Sequence, residues 1–385
     1  MGRRNQRGSA VKKDSGNAKI DEQKLPRLHL FLGAGGVGKT TLSAGFALAL
    51  AQQGRHVGLM SIDPAKRLQG ALGLAELPET GARIELSQGN GTLRASVLHI
   101  GESLKRWVSE AGLSEAAQHK LYANNLFRAI AERLATATDT FAAVRMAEWP
   151  EREVGLTDLV VDTAPGIHAI DFLSKPEKLS AFLDGKLIDW LKWFAQENQP
   201  QGGLIQRVVK GGARRILEGL SELGGQRFML HFAEFLILLD EVFARMMTRL
   251  DFARHWLRSS ETHCYIVTSV RYDAVQVASE LSRTLKALKM KSAKVVINRA
   301  FPEELRQDAG FHETLSRLRQ QDASFFANYL DNFIIVQRRV QEQLGHSAES
   351  VVTLPVAQHL DAHSALRLED LASLGQKIVE KSGES

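Results

Sequence analysis

The segment Gly33–Thr41, GAGGVGKTT, has residue types and a spacing suited to binding the phosphates of a nucleotide. It fits G-x-x-x-x-G-K-[ST] in full and lies between a predicted strand and a predicted helix, the context that such a loop requires. Glycines allow backbone angles that direct N–H groups at a phosphate, and the helix N-terminus adds partial positive charge. The alternative is a chance glycine-rich turn. The residues predicted to contact the nucleotide are Gly35, Gly36, Val37, Gly38, Lys39, Thr40 and Thr41.

Side chains in and after this loop indicate hydrolysis as well as binding. Lys39 is placed to reach the β- and γ-phosphates, Thr40 to bind Mg²⁺, and Thr41 to reach the α-phosphate. Hydrolysis also needs a carboxylate near the metal and a group that orients water. Asp162 ends the run LVVD and is the candidate for the metal, and Asp63 ends SID and is the candidate for the water. A purely structural role is the alternative for both aspartates.

Apolar runs that end in polar or turn-forming residues predict the strands of a sheet. They are residues 28–32, 56–63, LTDLVVDTAP ending near 165, 263–270, 293–300 and SVVTLPV ending at 356. Helical patterns lie between them, notably at 101–148 and 303–348, and no internal repeat is present. The pattern predicts an α/β fold, a P-loop NTPase with a mostly parallel central sheet flanked by helices.

Three parts of different composition are predicted along the chain. Residues 1–27 are a basic leader expected to be disordered. Residues 28–175 and 263–385 form the nucleotide-binding core, and residues 176–262, where no strand is predicted, form a helical lobe inserted in that core.

The net positive charge of the chain comes from the basic leader. Residues 1–27 hold eight Lys and Arg against three Asp and Glu, which accounts for the whole formal charge of +5. A solubilising arm, or contact with anionic lipid or nucleic acid, would each explain it. The neutral remainder does not predict a nucleic-acid partner.

Cysteine usage bears on location and metal chemistry. The sequence has one cysteine, Cys264, in an apolar run, so a buried small side chain and a cytoplasmic location are expected. Peripheral contact with a membrane stays open. A single thiol cannot form a C-x-x-C zinc clip, so none is expected.

GGVGKTT, DPAKRL, and DTAP followed by His168 resemble the corresponding motifs of the ArsA family, which includes arsenite-efflux ATPases and ATPases that deliver tail-anchored membrane proteins. The resemblance covers roughly residues 28–175 and 263–357. It implies ATP and Mg²⁺ as ligands, a homodimer, and a protein client or membrane-associated partner. It also implies that Asp63 is the hydrolytic residue, that Asn298 contacts adenine, and that Pro355 borders the base. No N-K-x-D follows near Asn298, so a guanine-specific GTPase is the poorer choice.

The sequence departs from the family at several positions. A lysine of the family's loop, which reaches the partner subunit's nucleotide, is replaced here by Ala34. Lys66 or Arg67 could restore a positive charge near the phosphates, or both could be solvated side chains. The switch segment 162–173 also differs from the family at Gly166, Ile167, Ala169 and Asp171, although His168 remains. Arsenite-binding cysteines are absent from the sequence, so anion transport is the least supported function.

The predicted lobe carries an aromatic and methionine-rich helical set: Trp190, Trp193, Phe194, Phe228, Met229, Phe232, Phe235, Met246 and Met247. These side chains either fill the lobe's own core or line a groove for an apolar client. The function predicted from all of this is a Mg²⁺-dependent ATPase that acts as a dimeric nucleotide switch. Two alternatives stay open: a positioning ATPase like MinD or ParA, and a nucleotide-binding scaffold with little turnover.

Overall fold

The structure is a computed structural model and describes residues 25–63, 67–110, 114–123, 138–166, 245–320, 324–355 and 367–383. The basic leader up to residue 24 lies outside these ranges. Leu25 packs against the core, the carbonyl of Pro26 accepts a hydrogen bond from Trp256 Nε1 at 2.8 Å, and the first strand begins at Arg27.

The described residues form one eight-stranded sheet. Its strands are β1 Arg27–Gly33, β2 His56–Ser61, β3 Ala82–Ile84, β4 Thr92–Val97, β5 Asp158–Asp162, β6 Thr262–Thr268, β7 Lys294–Ala300 and β8 Ser350–Pro355. The spatial order is β3-β4-β2-β5-β1-β6-β7-β8, and every pair is parallel except β3–β4. The mostly parallel α/β sheet predicted from the sequence is therefore confirmed.

Two of the eight described strands, β3 and β4, were not predicted from the sequence. β3 has only three residues and β4, TLRASV, carries polar residues and Arg94, so neither is a continuous apolar run. Both lie at one end of the sheet, where β4 has only the short β3 beyond it and is therefore less enclosed than the central strands.

Helices cover both faces of the sheet. Their bounds are α1 Lys39–Gln52, α2 Arg67–Ala71, α3 Ile100–Glu110, α4 Glu115–Ala123, α5 Thr138–Arg152, α6 with described residues 245–258, α7 Tyr272–Ala287, α8 Glu303–Gln307, α9 Ala309–Gln320, α10 Ser324–Gly345 and α11 Leu368–Ser382. The helical regions predicted at 101–148 and 303–348 are mainly helical in their described parts, which contain α3, α4 and the start of α5, and α8 to α10, respectively. No described helix is long and apolar enough to cross a bilayer.

Alternation along the central strands divides the core into two layers. In β1, Leu28, Leu30 and Leu32 face one layer and Phe31 faces the other, and all four side chains are fully buried. One layer contains α3, α5, α6 and α7, and the other contains α1, α2 and α11. Burial on both faces explains why the central strands are nearly continuous apolar runs.

Most of the predicted lobe lies outside the described residues, which resume at residue 245. Of its aromatic and methionine set, only Met246 and Met247 can be placed, both on α6. Met246 is buried in the core and Met247 packs against it at partial burial. These two side chains therefore belong to the core, and the core or groove alternatives stay open for the others.

Candidate functional site

The carboxyl ends of four neighbouring strands converge at the segment Gly33–Thr41, called the phosphate loop below. The strands are β2, β5, β1 and β6, in that order across the sheet. The phosphate loop continues β1 into α1, Asp162 ends β5, and Asp63 follows β2. The sheet therefore brings Lys39, Thr40, Asp63 and Asp162 to one edge, as strand-end ligand sites require.

Left-handed backbone at glycines shapes the phosphate loop. Gly36 has φ 74° and Gly38 has φ 97°, angles that residues with a Cβ rarely adopt. Gly38 is the N-cap of α1, and among the described residues no side chain caps it. The first N–H groups of α1 are therefore available to an anion, and no acidic residue occupies the first turn to repel one.

Lys39 is buried and its ammonium folds back on the phosphate loop. Nζ donates a hydrogen bond to the carbonyl of Ala34 at 2.9 Å. Burial lowers the pKa of Lys39 below its ordinary value, the Asp162 charge raises it, and the Arg67 charge lowers it again. A bound phosphate would add negative charge beside this buried ammonium and so favour its charged form.

One carboxylate oxygen of Asp162 accepts two hydrogen bonds, and the other accepts none from the described residues. Thr40 Oγ1 donates to Oδ2 at 2.8 Å and Ser61 Oγ donates to the same oxygen at 3.1 Å. Oδ1 is buried and has no hydrogen-bond partner among the described residues. Burial raises the pKa of Asp162 to about 6, although the two hydrogen bonds and Lys39 act against it. A buried carboxylate oxygen without a partner is costly, and a cation beside it would remove that cost.

Asp63 lies at the outer side of the site. Its side chain is only 16% exposed and forms an ion pair with Arg67 Nη1 at 3.2 Å. The main-chain oxygen of Asp63 accepts a hydrogen bond from Ser61 Oγ at 3.4 Å, so Ser61 contacts both aspartates. Residues 64–66, which include Lys66, lie outside the described residues. The idea that Lys66 or Arg67 replaces a missing charge stays a prediction.

Asn298 braces the phosphate loop. Its Nδ2 donates to the Val37 carbonyl at 2.9 Å, and its Oδ1 accepts from the Arg299 N–H at 2.9 Å. A Cβ on Gly38 would overlap this amide, so the close approach requires a glycine there. One N–H and one lone pair of the amide remain for the predicted contact with adenine, which stays a prediction.

Other predicted site residues are placed only partly. Pro355 ends β8, next to β7, and the residues from 356 to 366 lie outside the described part of the chain. Thr41 is in the first turn of α1 at partial burial. The switch segment is described only from Asp162 to Gly166, so His168 lies outside it. Gly166 N donates to the Gly33 carbonyl at 2.9 Å, which ties this switch to the phosphate loop.

Two residues beside the site were missed in the sequence. Ser61 is the last residue of β2 and contacts both aspartates. Arg271 follows β6, and its Nη1 lies 3.9 Å from the position that a Cβ on Gly36 would occupy. Both could have been identified from the sequence as polar residues at the end of a predicted strand, Ser61 in SID and Arg271 in SVRYD.

Comparison with known proteins gives the same family as the motifs. A family model described as anion-transporting ATPase matches residues 27–221. The chain is 32% identical over 162 residues to a putative arsenical pump-driving ATPase 2 of Aquifex aeolicus, covering 41% of this chain and 52% of that protein. Identity is 30% over 171 residues to an arsenical pump-driving ATPase of Escherichia coli, which covers 42% of this chain and 27% of that one.

A longer match is to ATPase GET3B of Arabidopsis thaliana, 25% identical over 293 residues, covering 72% of this chain and 64% of that protein. The chain spans about half the length, or less, of the arsenical pump-driving relatives named above.

Proposed function

The chain belongs to the anion-transporting ATPase family, and on that basis we propose that it binds ATP at the phosphate loop and hydrolyses it to ADP and phosphate. The observation that carries the proposal is the convergence of four groups at one edge of the sheet. These groups are the glycine-shaped loop with uncapped helical N–H groups, the buried Lys39, Thr40, and Asp162, whose Oδ1 has no hydrogen-bond partner among the described residues. Phosphate-binding sites of P-loop enzymes are built from these groups.

In the proposed reaction, the oxygen of a water molecule bonds to the γ-phosphorus of ATP. The bond from that phosphorus to the β–γ bridging oxygen breaks, ADP leaves with the electron pair, and the water proton passes to the released phosphate. Lys39 holds the β- and γ-phosphates through its ammonium. We assign Asp63 the role of orienting the water, because its carboxylate follows β2 at the same edge of the sheet.

The donor set fits Mg²⁺. Asp162 Oδ1 is a buried oxygen without a hydrogen-bond partner among the described residues, and Thr40 Oγ1 donates a hydrogen bond to Oδ2 of the same carboxylate. Mg²⁺ prefers oxygen ligands and commonly takes only one or two protein groups beside phosphates and water. Thr40 and Asp162 would hold the ion, directly or through water. When bound, Mg²⁺ neutralises charge on the β- and γ-phosphate oxygens.

Phosphate release by the wild-type chain and by Asp63→Asn tests this proposal. We expect Mg²⁺-dependent release of phosphate by the wild type, and release slower by about 10² to 10⁴-fold in Asp63→Asn, with ATP still bound. Asp251→Asn is the matched control, because Asp251 is an exposed aspartate on α6. Equal turnover in Asp63→Asn and wild type would remove the role of Asp63. ATP binding without hydrolysis by the wild type would instead favour the scaffold alternative.

We extend the proposal to a dimeric nucleotide switch that controls binding of a protein client or membrane-associated partner through the predicted lobe. The resemblance to tail-anchored targeting ATPases and the match to ATPase GET3B support this extension. Arsenite is a poor choice of ligand, because Cys264 is the one thiol of the sequence and burial raises its pKa to about 12. The proposed location is the cytoplasm, with peripheral contact at a membrane.

The dimer and the client can be tested with Asp63→Asn, which should hold ATP without hydrolysing it. Light scattering should give twice the chain mass with ATP and Mg²⁺. Capture from native lysate should recover single-span membrane proteins under the same conditions. A monomer in every nucleotide state would exclude the dimeric switch, and binding to DNA or to bare vesicles would favour the MinD- or ParA-like alternative.

A further inference from the structure

Arg271 lies on the opposite side of the phosphate loop from Asp63. It stands between β6 and α7, and β6 pairs with β1 so that Val267 is opposite Gly33. In the order β2-β5-β1-β6, Asp63 follows the strand two places from the phosphate loop on one side, and Arg271 follows the adjacent strand on the other side. An anion bound at the phosphate loop would therefore be flanked from both sides.

The guanidinium of Arg271 is oriented by a neighbouring carboxylate. Nε donates to Asp273 Oδ1 at 3.1 Å and Nη2 donates to Asp273 Oδ2. This two-point contact fixes the plane of the guanidinium and leaves Nη1 directed to the phosphate loop, 3.9 Å from the position of a Cβ on Gly36. The Arg271 side chain is 59% exposed and Gly36 is exposed, so a ligand can approach both from solvent.

The position of Lys39 indicates which phosphate would lie near Arg271. In loops of this kind the lysine reaches the β- and γ-phosphates. Here Lys39 Nζ contacts the carbonyl of Ala34, so we take the Ala34 side of the loop as its γ-phosphate end, and Gly36 is two residues further along. Arg271 borders that same side.

A positive charge at the γ-phosphate end of the loop would strengthen the binding of ATP. Ala34 carries no charge, and Arg67 is paired with Asp63 at 3.2 Å. The γ-phosphate is the group that distinguishes ATP from ADP, and negative charge is spread over its oxygens in phosphoryl transfer. We propose that Arg271 binds the γ-phosphate of ATP at the phosphate loop and so favours ATP over ADP, with Asp273 orienting its guanidinium. This inference rests on the proposed binding of ATP.

The test compares the affinities of the full chain for ATP and ADP, each with Mg²⁺, using fluorescent analogues in an Asp63→Asn background that prevents turnover. Replacing Arg271 by Ala should weaken ATP binding about tenfold and leave ADP binding within about twofold, because one charge-assisted contact is lost. Arg271→Lys should recover part of the ATP affinity, since it keeps the charge without the planar fork. Arg283→Ala is the matched control, because Arg283 is an exposed arginine on α7, the helix that follows Arg271, and its Nε donates to the Ser279 carbonyl.

Each result decides the inference. An unchanged ratio of ATP to ADP affinity in both Arg271 variants would overturn it while the proposed ATP binding stands. Equal weakening of both nucleotides would place Arg271 away from the γ-phosphate and would overturn it as well. If the Asp63→Asn chain with Arg271 intact, and the wild type, bound neither nucleotide, the proposed function would fail together with the inference.

Discussion

The two oxygens of Asp162 have different surroundings, and Ser61 contributes to that difference. Oδ2 accepts hydrogen bonds from Thr40 and Ser61, whereas Oδ1 is buried with no hydrogen-bond partner among the described residues. Ser61 itself is buried and also bonds to the main chain of Asp63. Residues that orient a metal ligand affect metal affinity without contacting the metal. We therefore propose that Ser61 orients Asp162 at the proposed Mg²⁺ site.

Replacing Ser61 by Ala should raise the Mg²⁺ concentration needed for half-maximal binding of fluorescent ATP by about tenfold or more, because Asp162 loses one of the groups that orient it. Nucleotide binding in the presence of EDTA should change little. Ser282→Ala is the control, since Ser282 is also buried and bonds to the Ser347 carbonyl far from the site. An Mg²⁺ requirement equal to that of Ser282→Ala would exclude this role.

At the scale of elements, α1 lies between the sheet and α11. The backbones of α1 and α11 come so close at two glycines that no side chain fits between them. A Cβ on Gly375 would overlap the carbonyl of Gly45, and a Cβ on Gly45 would overlap the carbonyl of Leu371. The neighbouring residues of α1 are buried apolar side chains that belong to the same core layer as those of α11. Because the phosphate loop ends in the first turn of α1, the position of α1 sets the position of the loop.

Gly375→Ala should therefore lower the free energy of unfolding by about 2 kcal/mol or more, since backbone atoms of two helices must separate to admit one methyl group. Urea unfolding followed by circular dichroism measures this change. Gly101→Ala on α3 is the control, because a Cβ there meets no atom within 4 Å, and a neutral or slightly stabilising effect is expected. Comparable stability of the two variants would show that α1 and α11 can separate at little cost.

At the scale of the whole molecule, buried charges join elements that are distant in sequence. Glu148 on α5 is fully buried and contacts Arg106 of α3 at 3.0 Å and Arg249 of α6 at 2.6 Å. Arg106 in turn contacts Glu79, which precedes β3, at 2.6 Å. The network attaches α6, which lies at the C-terminal end of the predicted lobe, to α3 and α5 of the predicted nucleotide-binding core.

Replacing Glu148 by Gln should lower the free energy of unfolding by about 3 kcal/mol, because several arginines would each lose one charged partner in a buried site. Glu102→Gln is the control, since Glu102 is 63% exposed in its pair with Lys105 and should cost less than about 1 kcal/mol. A loss for Glu148→Gln no larger than that of the control would mean that the network contributes little to stability.

A second buried cluster lies at the start of β5, at the end of the strands opposite the phosphate loop, and should make stability depend on pH. Burial alone would raise the pKa of Asp158, but hydrogen bonds from His29 at 2.9 Å and Thr157 at 2.7 Å, with the charge of Arg55, bring it below its ordinary value of 3.8. The folded chain thus releases this proton more readily than the unfolded chain. The stabilisation is complete above the ordinary pKa and is lost as pH falls through the folded value.

Asp158→Asn should cost about 1–3 kcal/mol at pH 7, and the difference from wild type should shrink as pH falls below about 4. Urea unfolding at a series of pH values measures both quantities. Asp251→Asn, an exposed aspartate, should instead follow the wild-type curve. A difference between Asp158→Asn and wild type that stays constant down to pH 3 would contradict the lowered pKa.

Local patterns in the sequence determined the phosphate loop, six of the eight described strands and the parallel sheet. The residue types that form a glycine-rich loop or a buried apolar strand are adjacent in the sequence, so both can be recognised without knowledge of the fold. The short β3 and the polar β4 could not, because they lie at the end of the sheet and neither is a continuous apolar run.

The tertiary structure decided which strand ends lie side by side. It places Arg271 and Asn298 against the phosphate loop from more than 200 positions away in sequence, and it gives Asp162 one oxygen without a partner among the described residues. Strand order and helix packing fix these contacts, and neither follows from the spacing of residues in a single segment.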